Sequence, residues 1–95
     1  MAISDDTTPK SIHQESYRRL CMLLVARRKS LGVSQYELAK RLNKPQSFVA
    51  KIERYERRID VIEFLKIAEA LEIDPCEVIR SIQASTAEPP NENLE

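Results

Sequence analysis

The sequence predicts an all-α fold: five helices in one small domain. Three observations carry this expectation. A single glycine among 95 residues, with no Asn-Gly or Asp-Gly pair, leaves almost nothing for the tight turns that join antiparallel strands. Four segments, Ser11-x-x-Gln14, Ser34-x-x-Glu37, Asp60-x-x-Glu63 and Asp74-x-x-Glu77, have the form of capping boxes, in which two side chains satisfy the orphan donors of a helix start. Apolar residues recur at helical spacing, as in Val61, Phe64, Leu65, Ala68 and Leu71, which fall on one predicted core-facing side.

The first helix is predicted from about Ile12 to Ser30, because Gly32 suits the left-handed position that ends a helix. A short second helix follows from Gln35 to Leu42. Asn43 tolerates left-handed geometry, and Pro45 disfavours helix at Lys44 while suiting a first helical turn, so the chain breaks there and a third helix runs from Gln46 to Arg54. The fourth spans about Val61 to Leu71. Asp74 and Pro75 open a fifth that reaches about Ile82. Residues 1–11 and 83–95 are polar and without periodicity and read as disordered tails, leaving a folded domain at 12–82.

A chain this short buries only about 60–65% of its unfolded surface and has no room for a large enzyme. It contains no Ser/His/Asp set, no pocketed pair of carboxylates and no glycine-rich phosphate loop, so the reading is non-enzymatic. No apolar run approaches the roughly 18 residues needed to cross a bilayer. Asp5 and Asp6 stand where a secretory signal carries positive charge, and the expectation is a cytoplasmic protein. Cys21 and Cys76 lie 55 positions apart without a CxxC spacing, and His13 is the only histidine, so no metal site, disulfide or cofactor is read. Both cysteines are expected to be inert small hydrophobes. Tyr17, Tyr36 and Tyr55 are expected to be partly buried with wet hydroxyls.

The zero net charge hides a segregation of sign. Residues 17–58 hold twelve Lys/Arg against three acids, a net of +9, whereas residues 59–95 carry −7 and residues 1–16 carry −2. Electrostatic fields act over about a Debye length of 8–10 Å, so a local block of this size points to a polyanion. A solvated, soluble helical surface is the other reading of the same block.

A helical wheel of residues 46–55 gathers Gln46, Ser47, Ala50, Lys51 and Arg54 into an arc of about 140°, opposite Phe48, Val49, Ile52 and Tyr55. The first arc has no carboxylate. Its amide, cationic and small side chains suit a major groove: Gln can pair with adenine edges, Lys with guanine acceptors, and Ser47 or Ala50 can approach a thymine methyl. An ordinary amphipathic surface helix has the same periodicity.

The stretch from Ser34 to Arg54 resembles the helix-turn-helix of the Cro/C1 repressor, or XRE, family. The resemblance rests on Ser34-Gln35-x-x-Leu38-Ala39, a three-residue turn, Gln46-Ser47-x-Val49 and Ile52-Glu53-Arg54, and extends over about Leu23 to Ile79. It implies a five-helix, lambda-repressor-like DNA-binding domain whose third helix enters the major groove of double-stranded DNA. By position it implies base contacts from Gln46, Ser47, Ala50 and Lys51. Gln35 would bond a phosphate and brace Gln46, Arg28 and Glu53 would form a structural ion pair, and Arg54, Arg57 and Arg58 would clamp phosphates. The family often has Gly where Asn43 and Tyr55 stand. Asn43 is a mild departure, whereas Tyr55 makes a left-handed cap costly, so the third helix is expected to run longer.

Ile62, Ile67, Val78, Ile79 and Ile82 exceed what one core-facing stripe needs, and a homodimer interface is expected at Val78, Ile79 and Ile82; closing a small core is the other use for them. The sequence thus reads as a sequence-specific transcriptional regulator, a dimeric repressor on a palindromic operator. An alternative is a protein-interaction module, antitoxin-like, whose acidic fourth and fifth helices bind a toxin or other partner while DNA contact is incidental.

Overall fold

The structure, a computed structural model, describes residues 9–86, and these form α1 (Pro9–Ser30), α2 (Gln35–Leu42), α3 (Gln46–Glu53), α4 (Val61–Ala70) and α5 (Pro75–Thr86). No strand occurs among the described residues. The second helix has the predicted bounds, and the third and fourth each end one residue earlier than predicted. Two boundaries need correction. Residues 9–11 and 83–86, assigned to the tails, are helical, so Ser11 lies inside α1 and cannot be its cap. The rest of the expected tails lies outside the described residues.

The caps show how local chemistry sets the starts. Ser34 accepts from Glu37 N at 3.0 Å, and Asp60 and Glu63 form a full reciprocal box, with Glu63 N donating to Asp60 Oδ1 at 2.7 Å and Asp60 N to Glu63 Oε1 at 3.0 Å. Asp74 works differently, accepting from Cys76 N at 2.9 Å.

The ends of α1 to α4 share one device. At Gly32, Asn43, Tyr55 and Glu72 the chain turns left-handed, with φ of 71°, 59°, 63° and 56°. Each turn is closed by the paired backbone bonds of a Schellman motif, for example Glu56 N to Lys51 O at 2.8 Å and Tyr55 N to Ile52 O at 3.0 Å. Tyr55 was expected to resist this geometry; instead α3 stops at Glu53 and Tyr55 takes the strained position. A guanidinium over its ring, that of Arg18 at 5.1 Å, helps hold it there.

The helices enclose one core. α1 contributes Cys21 and Leu24, α2 Leu38 and Ala39, α3 Phe48, Val49 and Ile52, α4 Phe64, Ile67 and Ala68 with its C-cap Leu71, and α5 Val78. Ala39, 1% exposed, lets α2 and α3 pack closely, while α1 lies against α5 and α3. Each fully buried large apolar side chain contributes about 1.5–3 kcal/mol. On α4 the expected stripe is partly wrong: Val61 and Leu65 face outward at 70% and 45% exposure, and Ile67 takes their place inside.

Candidate nucleic-acid interface

α2 and α3 pack against one another across the turn Asn43-Lys44-Pro45, the arrangement of a helix-turn-helix. Pro45 stands at the N-cap of α3 with φ −71° and ψ 157° and makes no side-chain cap. Behind it, Phe48, Val49 and Ile52 are buried and anchor the helix to the core. Gln46, Ser47, Lys51 and Arg54 are exposed, and Ala50 is half-buried among them. The structure therefore puts all four candidate base-reading residues on one outward face.

That face is supported from inside. The guanidinium of Arg28, 8% exposed, donates from Nε to Glu53 Oε2 at 2.7 Å, from Nη2 to Glu53 Oε1 at 3.0 Å, and from Nη1 to Val33 O at 2.7 Å. Each of the three nitrogens of the buried cation thus has a partner. Gln35 Nε2 donates to Glu53 Oε1 at 2.8 Å, and Gln46 Nε2 approaches Gln35 Oε1 at a long 3.4 Å. A continuous polar chain runs from α1 to the first residue of α3.

The arginines assigned to phosphate clamps divide. Arg54 is exposed and pairs with Glu56 at 3.1 Å, a contact across open solvent that a phosphate could replace. The bond to Arg54 holds the Glu56 carboxyl below its ordinary range. Arg58 is exposed and sits over the ring of Tyr17 at 4.6 Å. Arg57 is committed elsewhere: it donates to both oxygens of Glu63 at 3.0 and 3.1 Å, to Arg58 O at 2.7 Å, and covers the ring of Phe48 at 4.6 Å. Glu63 is held below the usual carboxylate range by that pair and by the Asp60 N–H.

Sequence reasoning missed several structural uses of the basic block. Arg27 donates to Leu71 O at 2.9 Å and Glu72 O at 2.8 Å, and Arg41 donates to Ala70 O at 2.9 Å. These two arginines satisfy the orphan carbonyls at the end of α4, where a helix dipole also favours positive charge. Tyr17 is half-buried as expected, but its hydroxyl donates to Arg57 O at 2.7 Å, and burial pushes it well above its ordinary pKa. Burial likewise raises the Cys21 thiol. Cys76, expected to pack as a small hydrophobe, is exposed.

The expected dimer residues also need correction. Val78 is 3% exposed and belongs to the core of the chain itself, and Ile82 is partly buried against it; only Ile79, at 49%, faces out. The exposed large apolar side chains include Val61, Ile62 and Leu65 clustered on α4 and Ile79 on α5, besides Met22 on α1 and the rings of Tyr36 and Tyr55.

Among the described residues no group of acidic, His or Cys side chains could hold a metal ion, and no helix is long and apolar enough to cross a membrane.

A buried ion pair bracing a helix-turn-helix with an acid-free outer face defines a DNA-binding regulator domain. The sequence model of the Helix-turn-helix family matches residues 24–78. The chain belongs to the Cro/C1-type, or XRE, family of DNA-binding transcriptional regulators. It is similar to the XRE-family like protein from Pseudomonas syringae pv. tomato at 44% identity, covering 82% of this chain and 95% of that one, with a TM-score of 0.79. It is also similar to the restriction-modification controller protein C.AhdI from Aeromonas hydrophila, at 32% identity over 65% of this chain and 94% of the other, TM-score 0.61. The clp gene regulator ClgR from C. glutamicum, 20% identical over 78% of this chain and 96% of its own, shares the fold with a TM-score of 0.66. Comparison with curated proteins found no match.

Proposed function

We propose that this chain is a cytoplasmic, homodimeric repressor that occupies a palindromic operator, inserting α3 into the major groove of each half-site. The observation that carries the reading is the chain Arg28–Glu53–Gln35–Gln46, which fixes the first side chain of an otherwise acid-free helix face. Gln46 and Lys51 read base edges, Ser47 and Ala50 allow close approach, and Gln35, Arg54 and Arg58 bind the flanking phosphates. Arg57 supports the loop that carries Arg58.

The second chain is placed on the outer strip of α4, Val61, Ile62 and Leu65, with Ile79 of α5. Three of these residues share an arc of about 100° on one helix, and pairing two copies removes apolar surface from water. A two-fold dimer matches half-sites about one DNA turn apart. The similarity to a restriction-modification controller protein supports a regulatory role on DNA, and a controller role is one form of this function.

Selection from random duplexes tests the proposal. The expected product is an inverted repeat with half-site centres about 10 base pairs apart, bound with steep salt dependence. Recovery of no shared sequence, or affinity indifferent to salt, counts against it.

A further inference from the structure

Between α1 and the loop that follows α3 lies a cleft of about 240 Å³, lined by Gln14, Tyr17, Arg18, Glu56, Arg58 and their neighbours. Its walls interlock. The Tyr17 hydroxyl donates to Arg57 O at 2.7 Å, Arg58 lies over the Tyr17 ring at 4.6 Å, and Arg18 lies over the Tyr55 ring at 5.1 Å. Loop and helix thus each offer a guanidinium to an aromatic ring of the other.

The charges in the cleft are unevenly matched. Both oxygens of Glu56 are occupied by Arg54, and Arg57 is paired with Glu63. Among the described residues neither Arg18 nor Arg58 has an ion-pair partner. A guanidinium stacked on a ring has one face covered while its N–H edge stays free, and that edge pairs with two oxygens of a tetrahedral anion. Stacking also removes part of the side-chain entropy that binding would otherwise cost.

We propose that this cleft is a phosphate site, with Arg18 and Arg58 as its two donors, and that its occupant is a backbone phosphodiester beyond the footprint of α3. The choice of occupant rests on the DNA-binding function above. The cleft opens two residues after Glu53, where α3 ends, so with α3 in the groove α1 would lengthen the phosphate track past the base-reading residues. A free phosphate-bearing molecule offers the same chemistry, and the test separates the two.

Wild type, Arg18→Gln and Arg18→Lys are compared on a short labelled duplex of arbitrary sequence over a range of salt. Arg18→Gln is expected to make the log K against log salt slope shallower by about 0.9 per bound chain, and Arg18→Lys to retain it. In parallel, the arginine Nε resonances are followed while inorganic phosphate is added, with thermal melts showing that each variant is folded. A shallower slope in Arg18→Gln assigns the site to the DNA backbone. An unchanged slope, with saturable Arg18 and Arg58 shifts that Arg18→Gln abolishes, assigns it to free phosphate and overturns the DNA occupant. An unchanged slope with no saturable shift overturns the site altogether. If wild type fails to bind the duplex, the proposed function falls while the phosphate titration still decides the cleft.

Discussion

Gln35 Nε2 donates to Glu53 Oε1 at 2.8 Å, so the carboxylate that neutralises a buried arginine also fixes an amide at the start of α2. The carboxylate can only accept, which forces the Gln35 oxygen away from it and towards Gln46 Nε2. Gln46 therefore directs one N–H to Gln35 at the protein surface. Its other N–H and its oxygen remain, and these are the donor and acceptor that an adenine edge requires.

Breaking the pair should cost more than deleting it. Glu53→Ala leaves Arg28 buried without its countercharge and is expected to lower stability by about 3 kcal/mol. Replacing both, with Arg28→Met and Glu53→Leu, should recover most of that loss, because no isolated charge is left behind. Urea unfolding of Arg28→Met, Glu53→Leu and the double variant measures the coupling. DNA affinity should stay low in the double variant, since Gln35 has lost its acceptor; recovery of full affinity would separate the brace from recognition.

Gln46→Ala and Lys51→Ala should each weaken binding to the selected operator by about 1–3 kcal/mol and relax base preference at one position. Arg58→Ala should weaken all sequences alike. Anisotropy on matched and scrambled duplexes checks the split, and equal losses on both for Gln46→Ala would remove its base-reading role.

Much of the fold was written locally. Ser34, Asp60, Asn43 and Pro45 act within a few residues of themselves, and their effects were readable. Tyr55 and Glu72 were not, because their left-handed turns are imposed by Schellman closure and by partners far along the chain, Arg18 for one and Arg27 for the other. α4 carries apolar residues on most of its sides, so periodicity could not choose between Leu65 and Ile67 for the core. The charge block counted arginines without their partners. Arg27, Arg41 and Arg57 turned out to hold carbonyls and a carboxylate, which no sequence spacing reveals.

Glu72→Gly should stabilise the protein. Left-handed geometry costs an L-residue with a Cβ about 1–2 kcal/mol, and glycine avoids this at an entropic penalty of about 0.5–1 kcal/mol. Because Arg27 bonds the backbone oxygen of Glu72, the substitution keeps that contact. The expected net gain is about 0.5–1 kcal/mol, which for a domain of this size raises Tm by roughly 2–8 °C. Tyr55→Gly should gain less, since it also removes the ring under Arg18. A melting curve for each variant decides; a lower Tm for Glu72→Gly would show that its left-handed turn carries no strain.

Acid should loosen the α3–α4 loop through Glu63. Its carboxyl is held below the ordinary value by the Arg57 pair, so the folded state binds the proton less well than the unfolded chain. The resulting stability is fully present above the unfolded pKa of about 4.3 and is lost as pH falls through the folded value. Glu63→Gln should therefore flatten the acid limb of stability against pH while changing little near neutrality in its slope. Urea midpoints between neutral pH and the acid limit measure this, and an acid limb as steep as wild type would rule Glu63 out as a contributor.

The subunit contact can be tested by pairing an outward residue with an inward one. Ile79 is 49% exposed and Val78, its neighbour on α5, is 3% exposed, so a charge at each position meets a different environment. Val78→Asp places a carboxylate in the core, where it costs several kcal/mol, and should unfold the chain. Ile79→Asp and Leu65→Asp leave the core alone and should give folded monomers if the α4 strip joins two copies. Their operator affinity should then drop steeply, because two linked half-site contacts gain avidity that a single module lacks. Sedimentation with circular dichroism separates the cases. A wild type that stays at 11.0 kDa at micromolar concentration, or a Leu65→Asp, Ile79→Asp double variant that remains dimeric, would move the interface off this face.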